Sequence, residues 1–348
     1  MNMKDRKNIP QVFEDSMREA YDNFIPVYTT IEITLGCNFR CKHCYNFDRT
    51  VSNKSDLPLM STELILKTIN DVAKQGALFI TLTGGEVLLH NDLEKFIKEI
   101  INNNSVCRLK TNAFALNKKI ISNFENWGVS TIDITMYGAS NETYKKFCDV
   151  NDGFTQLEKA INYFKNTKIK IFLNIFIHKY SYDEFEQMIS FAKYHDVEFY
   201  VATEITERYD GSKGAKDYEL TLSERETLMK GNYKDYFLSK CSGTPQFQCA
   251  CARNVCGINS QGDVMPCIGA PVKSGNLFND SFENIWNNSK ELNEIRNIKR
   301  SDFKSCVTCD VNEYCSRSSG GIYSNTGDYY GCDTTTYENA KLSKKLMS

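Results

Sequence analysis

Cys37, Cys41 and Cys44 fall within eight residues, Cys37-Asn38-Phe39-Arg40-Cys41-Lys42-His43-Cys44, directly after the strand-like run Ile31-Glu32-Ile33-Thr34-Leu35. Thiolates at this C-x3-C-x2-C spacing suit iron–sulfur chemistry. A cubane [4Fe-4S] cluster ordinarily takes one protein thiolate per iron, so a loop offering three leaves one iron for a different ligand. Zinc also binds thiolates, but its structural sites close with four ligands and favour paired two-residue spacings. The loop fits iron better.

A second group of cysteines lies far along the chain, with Cys249, Cys251, Cys256 and Cys267 followed by Cys306, Cys309, Cys315 and Cys332. All 14 cysteines belong to a chain of 348 residues without an export signal, and most are bunched at short spacings. Clustered thiols in that setting are metal ligands more often than disulfides. Cys107, Cys148 and Cys241 are left over, and lone cysteines are usually inert packing residues.

Loops that carry such ligands need rigid elements to position them. From Val27 to Thr203 short β-rich runs alternate with amphipathic stretches, the pattern of βα units around a parallel sheet. Six strands are expected, at Val27–Leu35, Ala77–Thr83, Val106–Thr111, Thr131–Met136, Lys170–Ile177 and Val197–Thr203. The helices between them are expected at Thr62–Lys74, Asp92–Asn102, Lys118–Asn126, Phe154–Asn166 and Tyr182–Tyr194. Six units fall short of the eight that close a full barrel, which makes the fold class α/β with a partial (β/α)6 TIM-like barrel. Ligand-binding loops of such sheets follow the carboxyl ends of the strands. Cys37–Cys44, Gly84-Gly85-Glu86, Thr111-Asn112 and Thr135–Gly138 all do so.

Five segments are expected: an N-terminal extension over 1–25, the barrel over 26–205, a mobile linker or lid over 206–245, a cysteine-rich domain over 246–333, and a terminal helix over 334–348. With 42 basic and 44 acidic side chains, the net charge of -2 creates no long-range field to draw nucleic acid or an anionic membrane. No stretch approaches the ~20 apolar residues of a membrane span, and the polar start lacks a signal core. A reducing cytoplasm is expected.

The cysteine loop resembles the signature of the radical S-adenosylmethionine (radical SAM) superfamily. That resemblance implies a [4Fe-4S] cluster on Cys37, Cys41 and Cys44, its open iron holding the amino and carboxylate groups of S-adenosylmethionine. Electron transfer to the sulfonium then gives a 5'-deoxyadenosyl radical. Gly84-Gly85-Glu86 resembles the family segment that binds the amino group, with glycines allowing close backbone approach and Glu86 offering an acceptor to the ammonium. Val87 follows where the family often has proline. Tyr45 matches an aromatic residue near the adenine, or packs in the core. Asn112, Thr135 and Asn174 resemble strand-end contacts to the cofactor's carboxylate or ribose. His43 reads as a supporting or surface residue, and Cys148, after the fourth strand, as a hydrogen-atom donor.

The later cysteines resemble the SPASM domain, which holds one or two auxiliary iron–sulfur clusters. The resemblance implies an outer cluster on Cys306, Cys309, Cys315 and Cys332, and an inner one on Cys249, Cys256 and Cys267. Ser318 and Ser319 stand where the family usually has the fourth inner ligand. Either Cys251 substitutes or that iron is open to a substrate thiolate or amide.

The runs Ile134–Ser140 and Tyr314–Arg317 are similar to maturases of ribosomally made peptides. They imply a precursor-peptide substrate, a thioether, a carbon–carbon crosslink or an epimerised residue as product, a separate leader-peptide recognition protein, and a flavodoxin- or ferredoxin-like reductant. Enzymes of haem or other small-molecule cofactor biosynthesis share these motifs, and a non-catalytic metal-binding scaffold is the remaining alternative.

Overall fold

The computed structural model describes residues 9–51, 58–238 and 249–347. Along the chain the elements run α1 (Ile9–Asp22), β1 (Tyr28–Thr34), α2 (Thr62–Lys74), β2 (Phe79–Gly84), α3 (Leu93–Asn102), β3 (Val106–Thr111), α4 (Lys118–Trp127), β4 (Thr131–Met136), α5 (Asn141–Cys148), α6 (Gly153–Phe164), β5 (Lys170–Phe176), α7 (Phe185–Tyr194) and β6 (Glu198–Ala202). Then follow α8 (Leu222–Lys230), β7 (Val255–Ile258), β8 (Val264–Met265), α9 (Phe282–Asn288), α10 (Lys290–Asn297), α11 (Lys304–Val307), α12 (Ser319–Thr326) and α13 (Thr334–Met347). Cys241 lies outside the described residues.

Local chemistry sets these boundaries. Ser61 caps α2 by accepting from Leu64 N, and Ile65, Ile69 and Val72 recur on one buried face. Asn117 caps α4 in the same way, and Gly128 ends it in the left-handed region at φ 91°. On β4, Ile132, Ile134 and Met136 are fully buried, while Asp133 and Thr135 alternate with them and line a cavity. Burying each such aliphatic side chain contributes about 1.5–3 kcal/mol.

The strands form one sheet in the order β6-β5-β4-β3-β2-β1-β7-β8, parallel throughout except for β8. This is the expected α/β partial barrel, with an addition. β7 pairs with β1 from Tyr28↔Val255 to Ile31↔Ile258, so the cysteine-rich segment extends the barrel's own sheet instead of beginning a separate one. α1 joins the same junction, where Trp286 of α9 donates its Nε1–H to Phe24 O at 2.7 Å and the Arg253 guanidinium stacks over Tyr21 and Phe24.

Within the described part of 206–245, Arg208 and Tyr209 are fastened to the first cysteine loop. Arg208 is buried, donates from Nη2 to Lys42 O at 3.0 Å and pairs with Asp48 at 3.4 Å, while Tyr209 N donates to Tyr45 O at 2.8 Å. This strap holds the first cysteine loop from outside, and α8 follows it. Among the described residues no helix is long and apolar enough to cross a membrane.

Candidate active site

The cysteine loop leaves β1 and is clamped on several sides. Arg40 N and Lys42 N donate to Cys148 O and Phe147 O at 2.8 and 3.1 Å, fastening the loop to the carboxyl end of α5. Buried Arg49 donates from Nε to Cys44 Sγ at 3.0 Å and from Nη1 to Leu35 O at 3.0 Å. Phe39 N donates to Cys37 Sγ at 3.4 Å. Burial raises the Cys37 thiol to about 12, so its thiolate is costly unless a cation shares the charge.

A cavity of about 360 Å³ opens beside this loop. It gathers Cys37, Cys41, Cys44, Tyr45, Gly84, Gly85, Asn112, Thr135 and Asn174 from five different strand ends. Thr135 and Asn174 are register partners on β4 and β5. Asn112 donates from Nδ2 to Asn38 Oδ1 at 2.8 Å. At Gly85 a Cβ would lie 2.1 Å from Gly36 O, and at Gly84, with φ 137°, 2.2 Å from Thr34 O; only glycine lets these backbones meet.

Two expected residues do not line the cavity. Glu86 is fully buried, with Oε1 accepting from Thr111 Oγ1 at 2.6 Å and Leu88 N at 3.1 Å, and Oε2 accepting from Asn112 N at 2.7 Å. Burial raises its pKa against these donors. Its carboxylate braces β3 against the Gly84-Gly85 turn. Cys148 is also fully buried, because α5 turns Tyr144, Phe147 and Cys148 inward together. Its thiol lies within hydrogen-bonding reach of Cys41, behind the loop.

Tyr45 lines the cavity with its ring and donates its hydroxyl to Glu32 Oε1 at 2.5 Å. Glu32 is fully buried, its pKa is raised by burial, and it also accepts from Ser260 N at 3.4 Å, across the β1–β7 seam. His43 is stacked between Phe147 and Phe176 at 5.0 and 4.4 Å, and burial lowers its pKa to about 3, leaving it neutral. It is an aromatic wall, not a surface residue.

Sequence reasoning missed Arg49, Glu32, Asp133 and Arg208. A lone acid within Ile31-Glu32-Ile33 is a detectable signal; Arg208 carries none, since its partners come from a distant loop. Asp133 lines the cavity and leaves Oδ1 buried without a partner, as Asn174 leaves its own Oδ1.

Cys306, Cys309, Cys315 and Cys332 line one further cavity of about 500 Å³, beside Arg317, which donates to Tyr329 O and Gly331 O at 2.6 and 2.9 Å. The Cys251 thiol lies within reach of both Cys249 and Cys267. Cys256 is buried on β7, next to Gly257, where a Cβ would lie 2.6 Å from the backbone of Cys267. Ser318 caps α12, and buried Ser319 takes a hydrogen bond from Arg317.

These donors fit the groups expected of them. Three thiols open on the main cavity, the buried Arg49 Nη2 has no partner and can face a cluster's negative charge, and the Asn174 acceptor and bare Gly84-Gly85 backbone suit a polar nucleoside. When bound, the cluster supplies the electron that cleaves the S-adenosylmethionine sulfonium.

Comparison with known proteins agrees. The model of the radical SAM superfamily matches residues 31–192, and that of the SPASM iron–sulfur cluster-binding domain matches 249–310. The chain is 24% identical to the AdoMet-dependent heme synthase of Methanosarcina barkeri, over 86% of this chain and 92% of that protein. It is 21% identical to the subtilosin biosynthesis protein AlbA of Bacillus subtilis, over 93% and 74%. The crystal structure of Streptococcus suis SuiB bound to S-adenosylmethionine shares the fold, with a TM-score of 0.68 at 17% identity, covering 95% of this chain and 83% of that one. The chain therefore belongs to the radical SAM superfamily, as an enzyme that uses S-adenosylmethionine and iron–sulfur clusters and carries a SPASM domain.

Proposed function

We propose that this enzyme is a maturase that abstracts a hydrogen atom from a ribosomally made peptide. The observation carrying this reading is the shared fold with a peptide-binding enzyme. Beside the main cavity, a second cavity of about 370 Å³ lies between β6, α8 and α13, and Ala202 and Glu204 line both. SuiB, which shares the fold, has been crystallised with its precursor peptide SuiA.

In this reading Cys37, Cys41 and Cys44 hold the barrel cluster, and Gly84, Gly85, Asn112, Thr135 and Asn174 hold S-adenosylmethionine, with Tyr45 beside its base. Cys306, Cys309, Cys315 and Cys332 hold the outer auxiliary cluster, and Cys249, Cys251, Cys256 and Cys267 the inner one. Four thiolates for the inner cluster remove the need for a substrate ligand there. A flavodoxin- or ferredoxin-like reductant and a leader-recognition protein would serve it in the cytoplasm. Mass spectrometry of short neighbouring-gene peptides coexpressed with the enzyme tests the proposal: a mass change dependent on Cys37 is expected, and unmodified peptides throughout would reject it.

The similarity to the Methanosarcina barkeri heme synthase favours a second reading, oxidation of a small tetrapyrrole-like molecule. Turnover of such a molecule with peptides left untouched would select it.

A further inference from the structure

The second cavity holds a feature that the proposed reaction does not use. Arg225 of α8 is 6% exposed and lines this cavity. Its Nε donates to Leu220 O at 3.1 Å, but its buried Nη2 has no hydrogen-bond partner. Glu219 forms an ion pair with it at 3.6 Å but already accepts from Ile205 N at 3.1 Å, Thr335 Oγ1 at 3.3 Å and Lys216 Nζ at 3.4 Å, and Glu204, whose pKa burial raises, lines the same cavity. A buried cationic donor left unmade is costly, and an incoming acceptor would relieve it.

The same cavity runs along a free strand edge. β6 ends the sheet, and no described strand pairs with its outer side. Ala202 O accepts from Ile177 N on the β5 side, so by the alternation of a parallel ladder the backbone groups of Val201 and Thr203 point outward, where both residues line the cavity. An unpaired edge is a template for an added strand.

We propose that this cavity is a substrate subsite in which an extended peptide segment pairs with the outer edge of β6 and seats an acidic side chain on Arg225. The proposal rests on the peptide reading above and specifies which peptides are taken. A charge-assisted hydrogen bond of this kind corresponds to roughly tenfold preference over an uncharged residue. Ser316 and Asn339 add polar partners at the wall beside the outer cysteines.

The test passes a displayed library of random decapeptides over the anaerobically reconstituted enzyme and sequences what is retained, with iron content as the check that each variant is folded. Wild type is expected to enrich Asp or Glu at one position roughly tenfold, and Arg225→Gln to lose that enrichment. Asn339→Trp, which fills the cavity from α13 without touching Arg225, is expected to lose it too. Acidic enrichment that survives in both variants, or retained peptides without acidic preference, overturns the subsite and leaves the peptide reading standing. If wild type retains no peptide at all, both fall.

Discussion

Arg49 Nε donates to Cys44 Sγ at 3.0 Å, so a single buried guanidinium ties the third cysteine of the loop to the end of β1 through its second contact with Leu35 O. A cation and hydrogen bond at a ligating sulfur stabilise the reduced, more negative cluster. Arg49→Met should therefore shift the barrel cluster to a more negative potential by roughly 60 mV, about 1.4 kcal/mol for one electron. An EPR-monitored redox titration reads this directly, and an unchanged midpoint would remove Arg49 from the account.

Glu86 is a brace, and its replacement should behave as one. Glu86→Gln turns an amide nitrogen toward partners that are themselves donors, which should cost ~1–3 kcal/mol in urea unfolding. Binding of S-adenosylmethionine should weaken as Asn112 shifts. An analogue lacking the α-amino group should lose as much affinity as the parent. If the analogue is indifferent to the substitution while the parent suffers, Glu86 touches the ammonium after all.

For the inner auxiliary cluster we propose Cys251 as the fourth thiolate, since its thiol neighbours both Cys249 and Cys267. Cys251→Ala should lower bound iron by as much as one cluster, about four atoms per chain, and alter the Mössbauer spectrum of what remains. Iron content and spectrum identical to wild type would leave that corner open.

His178 predicts a pH dependence of stability. Its Nδ1 accepts from Tyr180 N at 3.2 Å and its Nε2 lies 2.8 Å from Tyr137 O, an arrangement that the neutral ring satisfies. Burial lowers its pKa to about 3. The unfolded chain then binds the extra proton first, so stability is full above the unfolded value near 6.5 and is lost as pH falls toward 3. Between pH 7 and pH 5 this amounts to roughly 2 kcal/mol. His178→Gln should flatten the urea-unfolding slope over that interval by the same amount; a slope equal to wild type would count against the assignment.

The barrel was readable because its strands and helices are written in local periodicity. The expected fourth strand, Thr131–Met136, has the observed bounds, as does the first helix of the barrel, Thr62–Lys74. α5 escaped notice because its eight residues hold few apolar positions, and its buried Tyr144 and Phe147 acquire meaning only against the cysteine loop. Cysteine spacing exposed the metal chemistry for the same local reason.

What could not be read are contacts closed by tertiary folding. Nothing near Glu86 in sequence announces Thr111 and Asn112 as its partners. Arg208 and Tyr209 fall in a stretch whose charges and glycines suggest slack, yet they secure Lys42 and Tyr45. Pairing of Val255–Ile258 with Tyr28–Ile31 spans more than half of the chain.

That last pairing should couple the two halves in unfolding. A fragment stopped before residue 249 would strip β1 of one of its two neighbours and turn an interior strand into an edge of unmet backbone groups. Calorimetry of the intact chain should accordingly register one cooperative melt, and damage to the distal cysteines should be felt as softening around Glu32 and Tyr45, beside the first cysteine loop.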